Sequence, residues 1–184
     1  MRTTPAIANQ LLLSLACFGI CTCFAGAAEA PPEEAGRKAR QLLEKMARDD
    51  FAGKAASEQM KKLGAAAVPV AIEGTRSEVP RVRYWCISVL SALGDKRGFE
   101  PVKRCLGDPD PIVRAVAVWH IRRWWDEPGV PELVLARLND PDPGVAGWAL
   151  RAAVSKKPPD LAVALKRQFG RARSEELRYD LLAA

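Results

Sequence analysis

The chain has 184 residues, 48% of them hydrophobic and 27% charged, with a formal net charge of +6. That length suits one domain, and that composition excludes a wholly disordered or fibrous chain.

Residues 1–30 carry Arg2, an apolar run from Leu11 to Phe24, and small residues ending in Ala25-Gly26-Ala27 and Ala28-Glu29-Ala30. This is the three-part layout of a secretory leader, and the run is too short for a comfortable membrane span. Cleavage is expected after Ala27 or Ala30, giving an exported chain, periplasmic or secreted, with no membrane span in its mature form. An uncleaved anchor and lipidation at Cys17 of "LSLAC" are the alternatives; Ser14 stands where a lipobox usually has leucine. The leader holds one basic and one acidic residue, so the net charge of +6 survives its removal. It also holds Cys17, Cys21 and Cys23, which leaves Cys86 and Cys105 for an oxidising compartment.

Residues 31–50, "PPEEAGRKARQLLEKMARDD", read as a polar helix whose Leu42, Leu43 and Met46 would cover one open end of a helical stack. Residues 51–184 are periodic. Apolar stretches open at Val82, Val113, Val145 and Leu177, at steps of 31, 32 and 32 residues, and arginine follows the opener at Arg83, Arg114 and Arg178. An earlier, degenerate unit aligns Leu63-Gly64 with Leu93-Gly94. The phrase Asp-Pro-Asp-Pro occurs at 108–111 and again at 140–143. It suits a boundary between helices: Asp110 and Asp142 can cap the next helix, and Pro111 and Pro143 fit its first position, where no amide is needed. Asp108 and Asp140, each followed by proline, are pushed out of the helical region and stop the helix before.

Each unit holds two apolar stretches of helical spacing. Val82, Cys86, Val89, Leu90 and Leu93 fall on one face of a first helix, Gly94-Asp95 turns the chain, and Phe99, Val102 and Leu106 mark the second. The next unit repeats the second stretch with Val130, Val134 and Leu138. Short connections make the two helices antiparallel neighbours, and stacking on the next hairpin completes the core.

This pattern resembles the HEAT repeat, in particular the short bacterial phycobilin-lyase-like variety, whose units run Asp-Pro-x-x-x-Val-Arg, then small and aliphatic residues, then Leu-Gly. The resemblance covers roughly residues 51–184 and implies an all-α fold, an α-solenoid of armadillo/HEAT type in which antiparallel helix pairs form a right-handed superhelix. In that family an aspartate before the helix and the arginine after the opener form ladders between repeats; by match these fall on Asp110, Arg114 and Asp142. Ala146 replaces the next arginine and Ser77-Glu78 the first Asp-Pro, so the interface between the third and fourth units, opened by Val113 and Val145, is expected to rest on packing, with Trp148 as filler.

No catalytic set, metal site or cofactor motif emerges. The iron-dependent deoxyhypusine hydroxylases carry several His-Glu pairs along their repeats, whereas this chain has one histidine, His120, which reads as packed or exposed rather than as a ligand. Phycobilin lyases act on cytosolic pigment proteins, and an export signal argues against that role. Lys103, Arg104, Arg137, Lys166 and Arg167 lie on successive second helices, and Trp125 faces away from Trp124; these are the expected partner-binding residues. Basic residues in a last helical turn also complement the helix dipole, without any ligand. Trp85 and Trp148 share one register, which favours packing. If the hairpin turns symmetrically about residues 95 and 96, Cys86 and Cys105 lie level; a disulfide there is one reading and two buried thiols the other.

The expectation is therefore a non-enzymatic, exported scaffold that presents its second helices, on a concave face, to a protein or peptide. The alternative is a polyanion- or nucleic-acid-binding protein using the basic face, lyase-like or glycosylase-like if enzymatic; export counts against nucleic acid. Leu177, Leu181 and Leu182 would offer an apolar edge for self-association.

Overall fold

The computed structural model describes residues 32–159 and 161–169; the segment expected to be a leader and the C-terminal stretch around Leu177 lie outside the described residues. All regular structure among the described residues is helical. Helix α1 (Pro32–Met46) comes first, followed by four pairs: α2 (Asp50–Lys62) with α3 (Val68–Gly74), α4 (Pro80–Leu93) with α5 (Phe99–Arg104), α6 (Pro111–Ile121) with α7 (Val130–Ala136), and α8 (Pro143–Lys156) with α9 (Leu161–Phe169). Helices α2, α4, α6 and α8 pack in a row, each on the next, and α3, α5 and α7 each lie against the first helix of the following pair. This is the translational stacking of a solenoid.

Most residues that the spacing marks are buried, while Leu93 and Phe99 are half-buried. Val82, Cys86, Val89 and Leu90 on α4 are buried, as are the openers Val113 and Val145. On the second row Val102, Leu106, Val130, Val134 and Leu138 are buried. Helix α1 buries Ala35, Ala39, Leu42 and Met46 along one stripe and packs on α2 and α3. Leu43 is half-buried and touches the position of Gly74, where a Cβ would lie 2.8 Å from its Cδ2.

Helix ends follow from local chemistry. Gly94 closes α4 in the left-handed region, at φ 65°, and Asp95 then accepts from the Arg97 amide at 2.9 Å to start a 3₁₀ turn. The Arg97 guanidinium, donating to the same carboxylate, holds Asp95 down at about 2. Asp110 Oδ1 accepts from the amides of Ile112 and Val113 at 2.8 and 3.2 Å, and Asp142 Oδ1 from Val145 at 3.1 Å, with proline at the first position of α6 and α8. The second helices are short, and α5 and α7 each finish in a 3₁₀ turn, Cys105–Gly107 and Arg137–Asn139.

The ladder between repeats is real but uses other aspartates than expected. Arg83 Nε and Nη2 donate to Asp108 at 2.7 and 2.6 Å, and Arg114 Nε and Nη2 to Asp140 at 3.0 and 2.9 Å. Asp110 and Asp142 are caps and not rungs, because their carboxylates are already committed to the amides of their own helices. The rung Arg114–Asp140 joins α6 to the turn before α8, so the interface of the third and fourth units is not left to packing alone. Trp148 fills it only at the surface: the ring meets Trp119 across the interface but stays 37% exposed, while Ala146 and Ala149 are buried there. Where Asp-Pro is replaced by Ser77-Glu78, Arg83 Nη1 takes their carbonyl oxygens at 2.9 and 3.1 Å.

Candidate functional site

Of the six residues expected to meet a partner, Lys103 and Arg137 face carboxylates of their own chain and Trp125 packs against the core. Lys103 donates to Glu100 at 3.3 Å and lies 5.5 Å over the Phe99 ring. Arg137 Nη1 stands 4.0 Å from Asp140 Oδ2, and its buried Nε has no hydrogen-bond partner among the described residues. Arg104 and Lys166 are exposed on α5 and α9. The side chain of Arg167 lies outside the described residues. Trp125, which faces away from Trp124, is half-buried and packs against the core.

Chemistry gathers instead on the row of first helices. Arg122 lies over the Trp119 ring, 3.7 Å from its centroid, and Arg151 lies 5.2 Å over Trp148. The two indoles meet edge to face, centroids 5.2 Å apart at 62°, so the side chains of α6 and α8 form one chain of cation, ring, ring and cation. The signal was in the sequence as Trp-x-x-Arg, at 119–122 and 148–151, the spacing that puts two side chains on one helical face.

At the other end of the row, the N-terminal turns of α2, α4 and α6 enclose a groove of about 610 Å³. Val79, Pro80, Tyr84, Trp85, Ile112 and Val113 line it, together with Asp110 and the Arg81–Asp50 pair, 2.8 Å apart. Ile112 is 66% exposed and Val79 38%. Tyr84 and Trp85 pack edge to face at 4.8 Å, and Trp85 lies so close over Gly53 that no Cβ would fit there. Ile112 and Val79 each sit just outside a buried opener, in the first turn or immediately before it, where the helix presents its flank to solvent.

Cys86 and Cys105 are free thiols, both buried, and not the disulfide that the hairpin symmetry allowed. Burial raises both; Cys105 is pushed up to about 11, with Asp108 adding to the effect, and Cys86 goes further. His120 is half-buried, and burial, then the charges of Arg122 and Lys61, hold it down at about 4. Among the described residues no three histidine, cysteine or acidic side chains converge as a metal site would require, and no helix is long and apolar enough to cross a membrane.

Comparison with known proteins places this architecture. No curated protein matches the sequence. Among solved structures, a chain of the complex of CpcE and CpcF of phycocyanin lyase from Nostoc sp. PCC7120 is similar, with a TM-score of 0.68 and 18% identity over 80% of this chain and 97% of that one. At that identity the likeness is one of fold. The family model described as HEAT repeats matches residues 40–122 and again 99–184, which together take in every helix pair, and the chain therefore belongs to the HEAT-repeat family.

Proposed function

We propose that this protein is an exported, non-enzymatic scaffold that binds a segment of a partner protein in the groove between the N-terminal turns of α2, α4 and α6. The observation that carries the reading is the exposure of Ile112 and Val79 in a groove of about 610 Å³ lined mainly by apolar side chains. Exposed aliphatic side chains around a concave apolar surface favour a partner that brings its own apolar anchors. The Arg81–Asp50 pair supplies polar partners, as interface rims do. Export is supported by the leader, and the scaffold role by the absence of a catalytic motif in the sequence.

The surface differs from the concave second-helix face expected from the sequence, because Lys103 and Arg137 already face carboxylates of their own chain. Burial of apolar anchors makes binding tolerant of salt, whereas a polyanion surface loses affinity steeply as salt rises. The test is photo-crosslinking from position 112 in the cell-envelope fraction. One defined adduct is expected, retained in high salt and competed away by unlabelled parent protein but not by unlabelled Ile112→Asp. No adduct, or an adduct that both competitors suppress equally, overturns the reading. Ile112 is exposed, so the variant is expected to melt like the parent.

A further inference from the structure

A second pocket, of about 210 Å³, opens at the C-terminal ends of α4, α6 and α8. Ser91, Trp119, His120, Arg122, Arg123 and Lys156 line it, and it shares no residue with the apolar groove. Three of the six carry a full positive charge and none is acidic. None of the ion pairs among the described residues includes Arg122, Arg123 or Lys156.

A cation in the last turn of a helix is stabilised by the helix dipole by about 0.3–1 kcal/mol. That accounts for any one of these residues taken alone. It does not account for three, from the ends of two helices, converging on one cavity, where their mutual repulsion opposes so small a gain. Among the described residues no carboxylate lines the cavity to balance them. Burial first, and then the charges of Arg122 and Lys61, hold the His120 imidazole neutral.

The donors are also positioned. The Trp119 ring lies under Arg122, its centroid 3.7 Å from Cζ, and holds that guanidinium in place. Arg123 lies against Gly94, where a Cβ would come within 2.8 Å of its Nη2, so the left-handed glycine leaves the guanidinium its place. Ser91 Oγ donates only a long bond, 3.5 Å, to the His120 carbonyl oxygen and can turn toward a better acceptor. Guanidinium forks, an ammonium and a hydroxyl around a small cavity suit an acceptor with several charged oxygens. The cavity is smaller than the roughly 300–1,000 Å³ of sites for drug-sized ligands, so it admits one such group and not a whole ligand.

We infer that this pocket binds a tetrahedral oxyanion, phosphate or sulfate, either free or as the terminal ester of a larger molecule whose remainder rests on Trp119 and Trp148. The test is titration of the full chain with inorganic phosphate, sulfate, phenyl phosphate and acetate at constant ionic strength, followed by calorimetry and tryptophan fluorescence. Saturable binding of phosphate or sulfate, with acetate at least tenfold weaker, is expected. Tighter binding of phenyl phosphate than of phosphate identifies an ester as the occupant; equal binding identifies the free ion. Lys156→Gln and Arg123→Gln, both at exposed positions, are each expected to weaken binding about tenfold, about 1.4 kcal/mol, without changing the melting temperature of the free protein. Absence of saturable binding, acetate binding as well as phosphate, or affinity unchanged in both variants overturns the inference.

Discussion

Arg114 grips Asp140 with two parallel bonds, 3.0 and 2.9 Å long, while its third nitrogen holds the carbonyl oxygens of Asp108 and Pro109 at 2.9 and 3.2 Å. Arg83 makes the same four bonds one repeat earlier. Each rung ties the loop before one first helix to the loop before the next, and the Asp140 side chain is only 1% exposed. The geometry is bidentate and the remaining donors are satisfied, the condition under which a buried pair holds its own against desolvation.

Removing one partner strands the other. Asp140→Ala is expected to cost about 3–5 kcal/mol in urea unfolding, and Arg114→Met a comparable amount. The double variant should lose much less than the sum, because neither charge is then left without its partner. Additive losses would show that the two side chains act separately.

The caps provide a contrast within the same four-residue phrase. Asp110→Ala and Asp142→Ala each remove one carboxylate from amides at a helix start and are expected to cost about 1 kcal/mol. If Asp110→Ala proved as damaging as Asp108→Ala, the division of labour within Asp-Pro-Asp-Pro would be wrong.

That division is also the point at which sequence alone stops being decisive. The repeat length, the openers Val82, Val113 and Val145 and both apolar stripes were legible, since a step of 31 or 32 residues and helical spacing leave one way to bury them. Two aspartates two residues apart are chemically identical, and only geometry decides that the one touching the helix serves its amides while the other, held extended at φ −60° and ψ 143°, is free to meet the arginine. The basic second-helix residues are hard to read for a related reason: composition displays a cation but not its counter-ion. Glu100 and Asp140 stand three residues from Lys103 and Arg137, a spacing that could have announced the pairing. The exposure of Ile112 and Trp148 had no sequence signal, because how much of a first-helix flank a neighbouring repeat covers depends on the stacking itself.

Gly53 is the bed of Trp85, and a methyl group there would collide with the indole. Gly53→Ala is expected to displace Trp85, alter its fluorescence and cost about 1–3 kcal/mol, as overpacking does. An unchanged emission spectrum would mean that the ring rests elsewhere.

Cys86 and Cys105 are buried and raised in pKa, so little thiolate is available to react. A thiol reagent at pH 8 is expected to find both unreactive in the native protein and both reactive once the unreduced chain is unfolded. A denatured, unreduced chain with neither thiol reactive would restore the disulfide reading.

His120 gives the fold a pH dependence of definite sign. Its native value, about 4, lies below the ordinary 6.5, with burial first, then Arg122 and Lys61 as causes, and with Arg123 and Lys156 lining the same pocket. Between these two values the unfolded chain binds a proton that the native chain does not, so stability falls as pH drops from about 6.5 to about 4, and this group adds no further loss below that. Because the ring is half-buried, solvent screening keeps the effect below what the full shift implies. In urea melts at fixed ionic strength, His120→Gln is expected to flatten the curve across that window and leave the acid limb below it in place. A slope identical to the parent's across the window would place the imidazole in water, with an ordinary affinity for its proton.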